Sequence, residues 1–328
     1  MKVFKTNNLS FLDRVRLNNG NDKLKGLFHN LVKLNPEEAA NLINDKNLYF
    51  CSLFILKPVI DKLEFFNHLS SRNKDALTIT TEILKRKASN KESLSFDCNQ
   101  MNYSTLKWIF ETGCFDDGLS NQYDEVLDIT AIHLIKSYND KSVLPVIAEM
   151  IFSRYKKGLY IYDLVWAFFE SRDPRRLIIF ANRMHSTHWM DVELACKLLG
   201  FIPGIDINRN NDKFIKYLYI RNWIQENHLF MHYTGESFQQ TPNPIPYLVS
   251  LEAKYLCKPV PEDSQEPLRI LNEDESNLME RFKGLNKDTQ ILLSTCSFLL
   301  YRQNKSTWNK WIHYPVEEQI RIVLGGLS

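Results

Sequence analysis

The chain has 328 residues, of which 44% are hydrophobic and 24% are charged, a composition that excludes intrinsically disordered and collagen-like proteins. Its 41 basic and 39 acidic residues leave a net charge of +2, so total charge does not select a strongly acidic or basic partner. Only 11 residues are glycine, under half of the usual ~7%, and because tight β-turns use glycine this shortage favours helices joined by polar loops.

Motifs for export, membrane insertion and common catalytic sites are missing from the sequence. The first residues, MKVFKTNNLSFLDRVRL, lack the apolar core of a secretory signal, so a cytoplasmic protein is expected. The apolar run at 291–301 is shorter than the ~20 residues that cross a bilayer, so no membrane insertion is expected. Cysteines form no CxxC pair, and phosphate-loop, HExxH and GxSxG motifs are missing. We therefore expect no cofactor, and binding rather than catalysis.

The first helix signals lie between residues 35 and 84. Asn35 and Glu38 match a capping box, and Pro36 occupies the first helical position. Apolar residues at helical spacing then predict a pair of helices. The first of the pair is expected to begin near Pro58, because proline disrupts a helix interior.

The clearest periodicity lies between residues 125 and 185. Apolar side chains spaced as on one helix face occur on both sides of the polar break SYNDKS, which predicts a helix hairpin. The pattern recurs about 34 residues later, a natural length for a two-helix repeat, and there Asp173 can cap a helix that begins at Pro174. These hairpins resemble the helical-repeat solenoids of the HEAT and armadillo type. An irregular helical bundle with one chance duplication is the alternative.

A mixture of Pro, Gly and Asn at 201–210 predicts a hinge. We therefore expect a helical hairpin region at 1–202 and a C-terminal helical unit with Pro-rich, extended loops at 203–328. In this unit a helix is predicted at 214–223, three prolines at 242–246 exclude helix, and helix is expected to resume near Tyr247.

The last part of the chain contains further helix signals. Asn272 and Glu275 match a second capping box. Helices are then predicted near 288–302 and 316–324, the last one between Pro315 and a stop at Gly325. The predicted fold class is all-α.

Charge is unevenly distributed along the chain, with an excess of basic residues in 131–221 and of acidic residues in 222–280. Either the two segments pack against each other, or the basic residues meet an external anion such as nucleic acid. Ordinary helix-end and surface roles, which the helix dipole favours, are the preferred interpretation, ahead of nucleic acid and of an acidic protein partner. We call the basic residues the basic ridge: Arg154, Lys156, Lys157, Arg172, Arg175, Arg176 and Arg183.

Two other stretches are candidate binding surfaces. The segment 228–247 presents polar side chains on a proline-stiffened loop, and it is either a recognition loop or a simple connection. Trp308 and Trp311, between lysines, form either an exposed anchor for a partner or, as we favour, a buried pair. The candidate loop residues are Glu236, Ser237, Gln239 and Gln240.

Two histidine pairs are weak candidates for metal binding. His228 and His232 are four residues apart and would share one face if a helix continued through them. His185 and His188 are three residues apart. Neither pair has a third ligand at fixed spacing, so satisfied polar residues at helix ends are the favoured interpretation.

The expected function is therefore a protein-interaction or assembly module, such as a scaffold, that uses a helical-repeat surface and has a protein partner. Nucleic-acid binding by the basic ridge is one alternative. A metal-dependent hydrolase with a histidine-based site is another.

Overall fold

A computed structural model describes residues 9–88, 102–205, 213–269 and 271–325. Within them the chain forms 17 α-helices, short 3₁₀ helices and one two-stranded sheet, so the fold is all-α, as predicted. The chain divides into two compact units, residues 1–154 and 155–328. The sequence analysis expected a domain boundary between residues 202 and 203, which is not this division. That boundary stays a prediction.

The described residues of the first unit, 9–88 and 102–154, contain eight α-helices, the last of which ends just past the boundary. They are α1 (Phe11–Asn19), α2 (Asn21–Leu34), α3 (Pro36–Ile43), α4 (Phe50–Lys62), α5 (Ser71–Ala88), α6 (Tyr103–Gly113), α7 (Asn121–Lys136) and α8 (Leu144–Lys156). Short 3₁₀ helices lie at Phe65–His68, Cys114–Asp116 and Lys141–Val143.

In the second unit, the residues that the structure describes form nine α-helices and the sheet. The helices are α9 (Tyr162–Glu170), α10 (Ile178–Ala181), α11 (Trp189–Leu198), α12 (Lys213–Asn227), α13 (Leu251–Tyr255), α14 (Glu273–Lys283), α15 (Lys287–Gln303), α16 (Lys305–Trp311) and α17 (Val316–Leu324). The strands are β1 (Met231–Tyr233) and β2 (Tyr247–Val249), and 3₁₀ helices lie at Pro174–Leu177, Asn182–His185 and His228–Phe230.

Local cap signals determine several helix starts. The side chain of Asn35 accepts a hydrogen bond from Glu38 N at the start of α3, as the capping pattern predicted. Pro58, however, does not begin a helix, and that prediction is wrong. It lies inside α4, which begins at Phe50, and the fully buried apolar face of that helix outweighs the hydrogen bond lost at proline.

Helix ends in this glycine-poor chain use other residues in the left-handed conformation. Glu64, Arg172 and Cys257 have φ of 55°, 51° and 52°, and each follows the C-cap residue of an α-helix. Glycine usually occupies this position because it has no Cβ to clash. These three helices therefore end without glycine, and the left-handed conformation of a residue with a Cβ costs backbone strain.

The second hairpin of the proposed repeat differs from the first. The first hairpin consists of the two long helices α7 and α8, as predicted. In the second, α9 is followed by a 3₁₀ helix, one turn of α-helix and another 3₁₀ helix between Pro174 and His185. Asp173 caps this segment by accepting from Arg175 N, as predicted. A regular repeat array is thus not established and stays a prediction.

The β-hairpin replaces a helix that the sequence predicted near Tyr247. That prediction is wrong, because Tyr247–Val249 pairs antiparallel with β1, with Met231 opposite Val249. Ser250 then caps α13 by accepting from Ala253 N, so helix starts at Leu251.

The helices that follow β2 enclose a hydrophobic core. Tyr255 is fully buried, with its ring stacked on Phe282 at 4.2 Å and edge-on to Trp311 at 6.1 Å. The capping box of Asn272 and Glu275 starts α14 as predicted, with both hydrogen bonds formed. The predicted helices near 288–302 and 316–324 are α15 and α17, whereas α16 was not predicted.

Asp140 provides a pH-sensitive contact in the first unit. Burial opposes its charge, but the Lys107 ammonium at 2.8 Å, Ser142 and Tyr103 lower the pKa of this carboxyl to about 2. Because the pKa of an unfolded Asp is near 3.9, this group stabilises the fold above about pH 4, and the contribution is lost as pH falls towards 2.

We therefore expect Asp140→Asn to cost about 1–2 kcal/mol of the free energy of unfolding near neutral pH, after allowance for solvent screening. The difference from wild type should shrink below about pH 3, where the carboxylate is protonated in the unfolded chain. Urea unfolding of both proteins at several pH values measures this. A difference of the same size at low and neutral pH would contradict the assignment.

Candidate functional site

Arg172, Arg175 and Arg176 of the basic ridge are each paired with a carboxylate. Arg175 and Arg176 both contact Asp173, with Nε to carboxylate oxygen distances of 2.8 and 3.5 Å. Arg172 pairs with Glu170 at 3.1 Å and with Asp263. Asp263 belongs to the acidic segment, so here the basic and acidic segments pack against each other, which was one of the two interpretations of the charge pattern.

Arg154 does not lie on a surface at all, and its assignment to an exposed ridge is wrong. Its side chain is 2% exposed. The guanidinium contacts Asp117 at 2.7 Å and Asp128 at 2.9 Å, both within the first unit. A cation that looks like a helix-end residue in the sequence is therefore the centre of a buried ion-pair triad.

Polar groups of the 228–247 loop form hydrogen bonds within the loop and with Asp163 of α9. Gln239 Nε2 donates to Asp163 at 2.6 Å, and the Glu236 carboxylate accepts from Ile245 N at 2.8 Å. Ser237 is buried, and its N–H donates to Gln240 Oε1 at 3.2 Å. These contacts agree with a connection pinned in place, and recognition by the loop stays a prediction.

His228 and His232 do not share the helical face that the sequence suggested. Helix α12 ends at Asn227, so His228 lies in a 3₁₀ helix and His232 in β1, and they share no helical face. His185 and His188 are both exposed. In the part of the chain that the structure describes, no group of three or more His, Cys, Asp or Glu side chains is placed to hold a metal ion.

The two tryptophans of 305–314 have different environments. Trp311 is 2% exposed and belongs to the core of the C-terminal helices, as the favoured interpretation expected. Trp308 is only half-buried, and its Nε1 donates to Ser297 Oγ at 2.8 Å. Its ring meets Tyr301 edge-on at 5.1 Å. The indole is therefore held in one orientation while part of it faces solvent.

Trp308 lines an open groove of about 520 Å³, which we call the Trp308 groove. Its apolar lining residues, which we call the floor, are Leu256, Leu278, Trp308, Ile312, Pro315 and Val316. Its polar lining residues, which we call the rim, are Lys258, Asn272, Asp274, Glu275, Asn277, Arg281, Asn309, His313 and Tyr314. The volume lies in the range of ligand-binding clefts, and recognition sites usually combine apolar contact residues with polar ones.

One wall of the Trp308 groove is fixed by a buried glutamine. Gln319 Nε2 donates to the carbonyl oxygens of Ile312 at 3.2 Å and Tyr314 at 2.9 Å. Its Oε1 accepts from Tyr255 Oη at 2.6 Å. Gln319 is fully buried, so this amide holds the turn between α16 and α17 against the core.

An ion pair fixes another part of the rim. Lys258 Nζ contacts the carboxylate of Glu275, which also completes the capping box with Asn272 N at 3.1 Å. Burial raises the pKa of Glu275, but the hydrogen bonds and the Lys258 charge lower it overall. Asn277 and Asn309 are exposed on the rim.

Among the predicted site residues, Trp308 is the one that opens onto this groove. The groove was missed in the sequence because its walls come from residues 256–281 and 308–316, which only the packed helices bring together. Asn272 lines the groove, but the sequence identified it only as a helix cap. No protein-family model, curated protein or solved structure matches this chain. None of the described helices has the length and hydropathy to span a membrane.

Proposed function

We propose that the protein is an interaction module and that its C-terminal helices bind a segment of a partner protein in the Trp308 groove. The observation that supports this most is the half-buried, oriented indole of Trp308 in a groove lined by both apolar and polar residues. Tryptophan in such a setting contributes more to protein recognition than most residue types.

The rim chemistry favours a peptide as the ligand. Asn277 and Asn309 carry primary amides, which can donate to a peptide carbonyl and accept from a peptide N–H. An apolar side chain of the ligand would then contact Trp308 and Ile312 on the floor. This arrangement requires the peptide backbone to run along the groove between the two asparagines.

Nucleic-acid binding by the basic ridge is supported by fewer observations than peptide binding in the groove. Arg172, Arg175 and Arg176 each lie against a carboxylate, and breaking those pairs would offset part of the gain from phosphate contacts.

Selection of a phage-displayed random peptide library on the purified protein tests the proposal. We expect enriched peptides with a large apolar side chain, and we expect Trp308→Ala to weaken their binding at least about thirtyfold, since an aromatic anchor contributes ~2 kcal/mol or more. Fluorescence anisotropy with a labelled peptide measures the dissociation constant.

The matched control is Trp189→Ala, because Trp189 is exposed in the same unit and does not line the groove. It should leave the dissociation constant within about twofold of wild type. The proposal fails if no peptide is enriched, or if both tryptophan variants weaken binding equally.

A further inference from the structure

Helix α12 is apolar on two opposite sides, of which one packs inside the second unit and the other faces solvent. Ile220 and Ile224 are buried. On the outer side, Phe214, Ile215 and Tyr219 are 53%, 60% and 44% exposed. A surface helix of a globular protein normally presents polar residues on its outer side, so this outer face is suited to another contact.

A further exposed aromatic follows, in sequence, the residues that contact the start of α12. Lys213 Nζ reaches the carbonyl oxygen of Ser186 at 3.5 Å, and His185 lies against Phe214 with ring centroids 6.2 Å apart. Trp189, the first residue of α11, is 67% exposed. We call Trp189, Phe214, Ile215 and Tyr219 the α12 patch.

The charges on α12 are predominantly positive. The helix carries Lys213, Lys216 and Arg221, and its one acidic residue, Glu226, is in the last turn. Arg221 lies two turns after Phe214 on the same side, and Lys216 lies one turn before Tyr219. Cations therefore border the exposed apolar residues on both flanks.

We propose that the α12 patch docks the protein on the surface of an anionic lipid bilayer, independently of the Trp308 groove. Basic side chains attract anionic headgroups, while exposed apolar side chains and aromatic rings enter the interfacial region. An aliphatic side chain as exposed as Ile215 gains from such an interface and gains little from nucleic acid, which binds flat rings and cations. The contact is peripheral and needs no spanning helix.

Co-sedimentation with vesicles tests this proposal on the full chain. We expect binding to phosphatidylcholine vesicles that contain phosphatidylserine, weaker binding to phosphatidylcholine alone, and loss of binding at high salt because the headgroup attraction is screened.

Two variants separate the apolar and the charged contributions. Phe214→Ser with Ile215→Ser should weaken vesicle binding about tenfold, and so should Lys216→Glu with Arg221→Glu. Leu268→Ser and the pair Lys283→Glu with Lys287→Glu are matched controls at exposed sites of the same unit, and they should bind like wild type. Thermal unfolding verifies that each variant is folded.

Three results would overturn the proposal. The first is no binding to the anionic vesicles at low salt. The second is vesicle binding that neither α12 variant weakens. The third is that the same variants instead abolish retention on DNA or RNA, or dissociate a homodimer detected by analytical ultracentrifugation, while vesicle binding is unchanged.

Discussion

Replacing Arg154 by methionine is expected to cost the first unit about 3–5 kcal/mol of its free energy of unfolding. The guanidinium lies within 2.9 Å of both Asp117 and Asp128, and its side chain is almost completely buried. Methionine keeps the volume of the side chain but leaves two carboxylates without their counter-ion, and an uncompensated buried charge is one of the most costly defects in a core.

Hydrogen exchange read by mass spectrometry measures this loss for the first unit separately from the second. Arg154→Lys should retain only part of the stability, because an ammonium cannot form the forked contacts of a guanidinium. Adding Asp117→Asn and Asp128→Asn to Arg154→Met should recover part of the loss by removing the stranded charges. A loss below about 1 kcal/mol for Arg154→Met would contradict the buried triad.

Gln319→Leu is expected to destabilise the C-terminal helices by about 2–4 kcal/mol. Leucine would fit the volume, but three groups would lose their hydrogen bonds at once, the hydroxyl of Tyr255 and the carbonyls of Ile312 and Tyr314. An unsatisfied buried polar group costs about 1–3 kcal/mol. Because these carbonyls belong to one wall of the Trp308 groove, peptide binding should weaken as well.

Urea unfolding and peptide titration at a temperature where the variant is folded measure both effects. Tyr255→Phe removes one of the three hydrogen bonds and should cost about 1 kcal/mol. Gln303→Leu, at an exposed position on α15, is the control and should stay within about 0.5 kcal/mol of wild type. A Gln319→Leu variant as stable as this control would show that the amide does not hold the wall.

Helix starts were predictable from the sequence where the cause is local. Asn35, Asp173 and Asn272 each cap a helix a few residues away, and the hydrogen bond depends on side chains that are adjacent in the chain. The apolar spacing of α7, α8 and α15 likewise reflects burial of one helix face.

Contacts between distant residues were not predictable in this way. Pro58 lies inside α4 because the buried face of that helix packs against residues distant in sequence. Tyr247 belongs to a strand because it pairs with Met231–Tyr233, which precedes it by more than ten residues. Likewise the sequence suggests a helix-end cation at Arg154, and only the folded chain brings Asp117 and Asp128 next to it. The same limit applies to the candidate site, since Trp308 was selected from the sequence but the groove around it was not.

Photo-crosslinking of an enriched peptide tests the proposed binding site most directly. Benzoylphenylalanine would replace His313 on the rim of the Trp308 groove or, in a matched protein, the exposed Asn182 beside the basic ridge. We predict a crosslinked peptide from position 313 and none from position 182, with Trp308→Ala abolishing the product. Crosslinking from position 182 alone, or crosslinking at 313 that persists in Trp308→Ala, would contradict the assignment of the groove as the binding site.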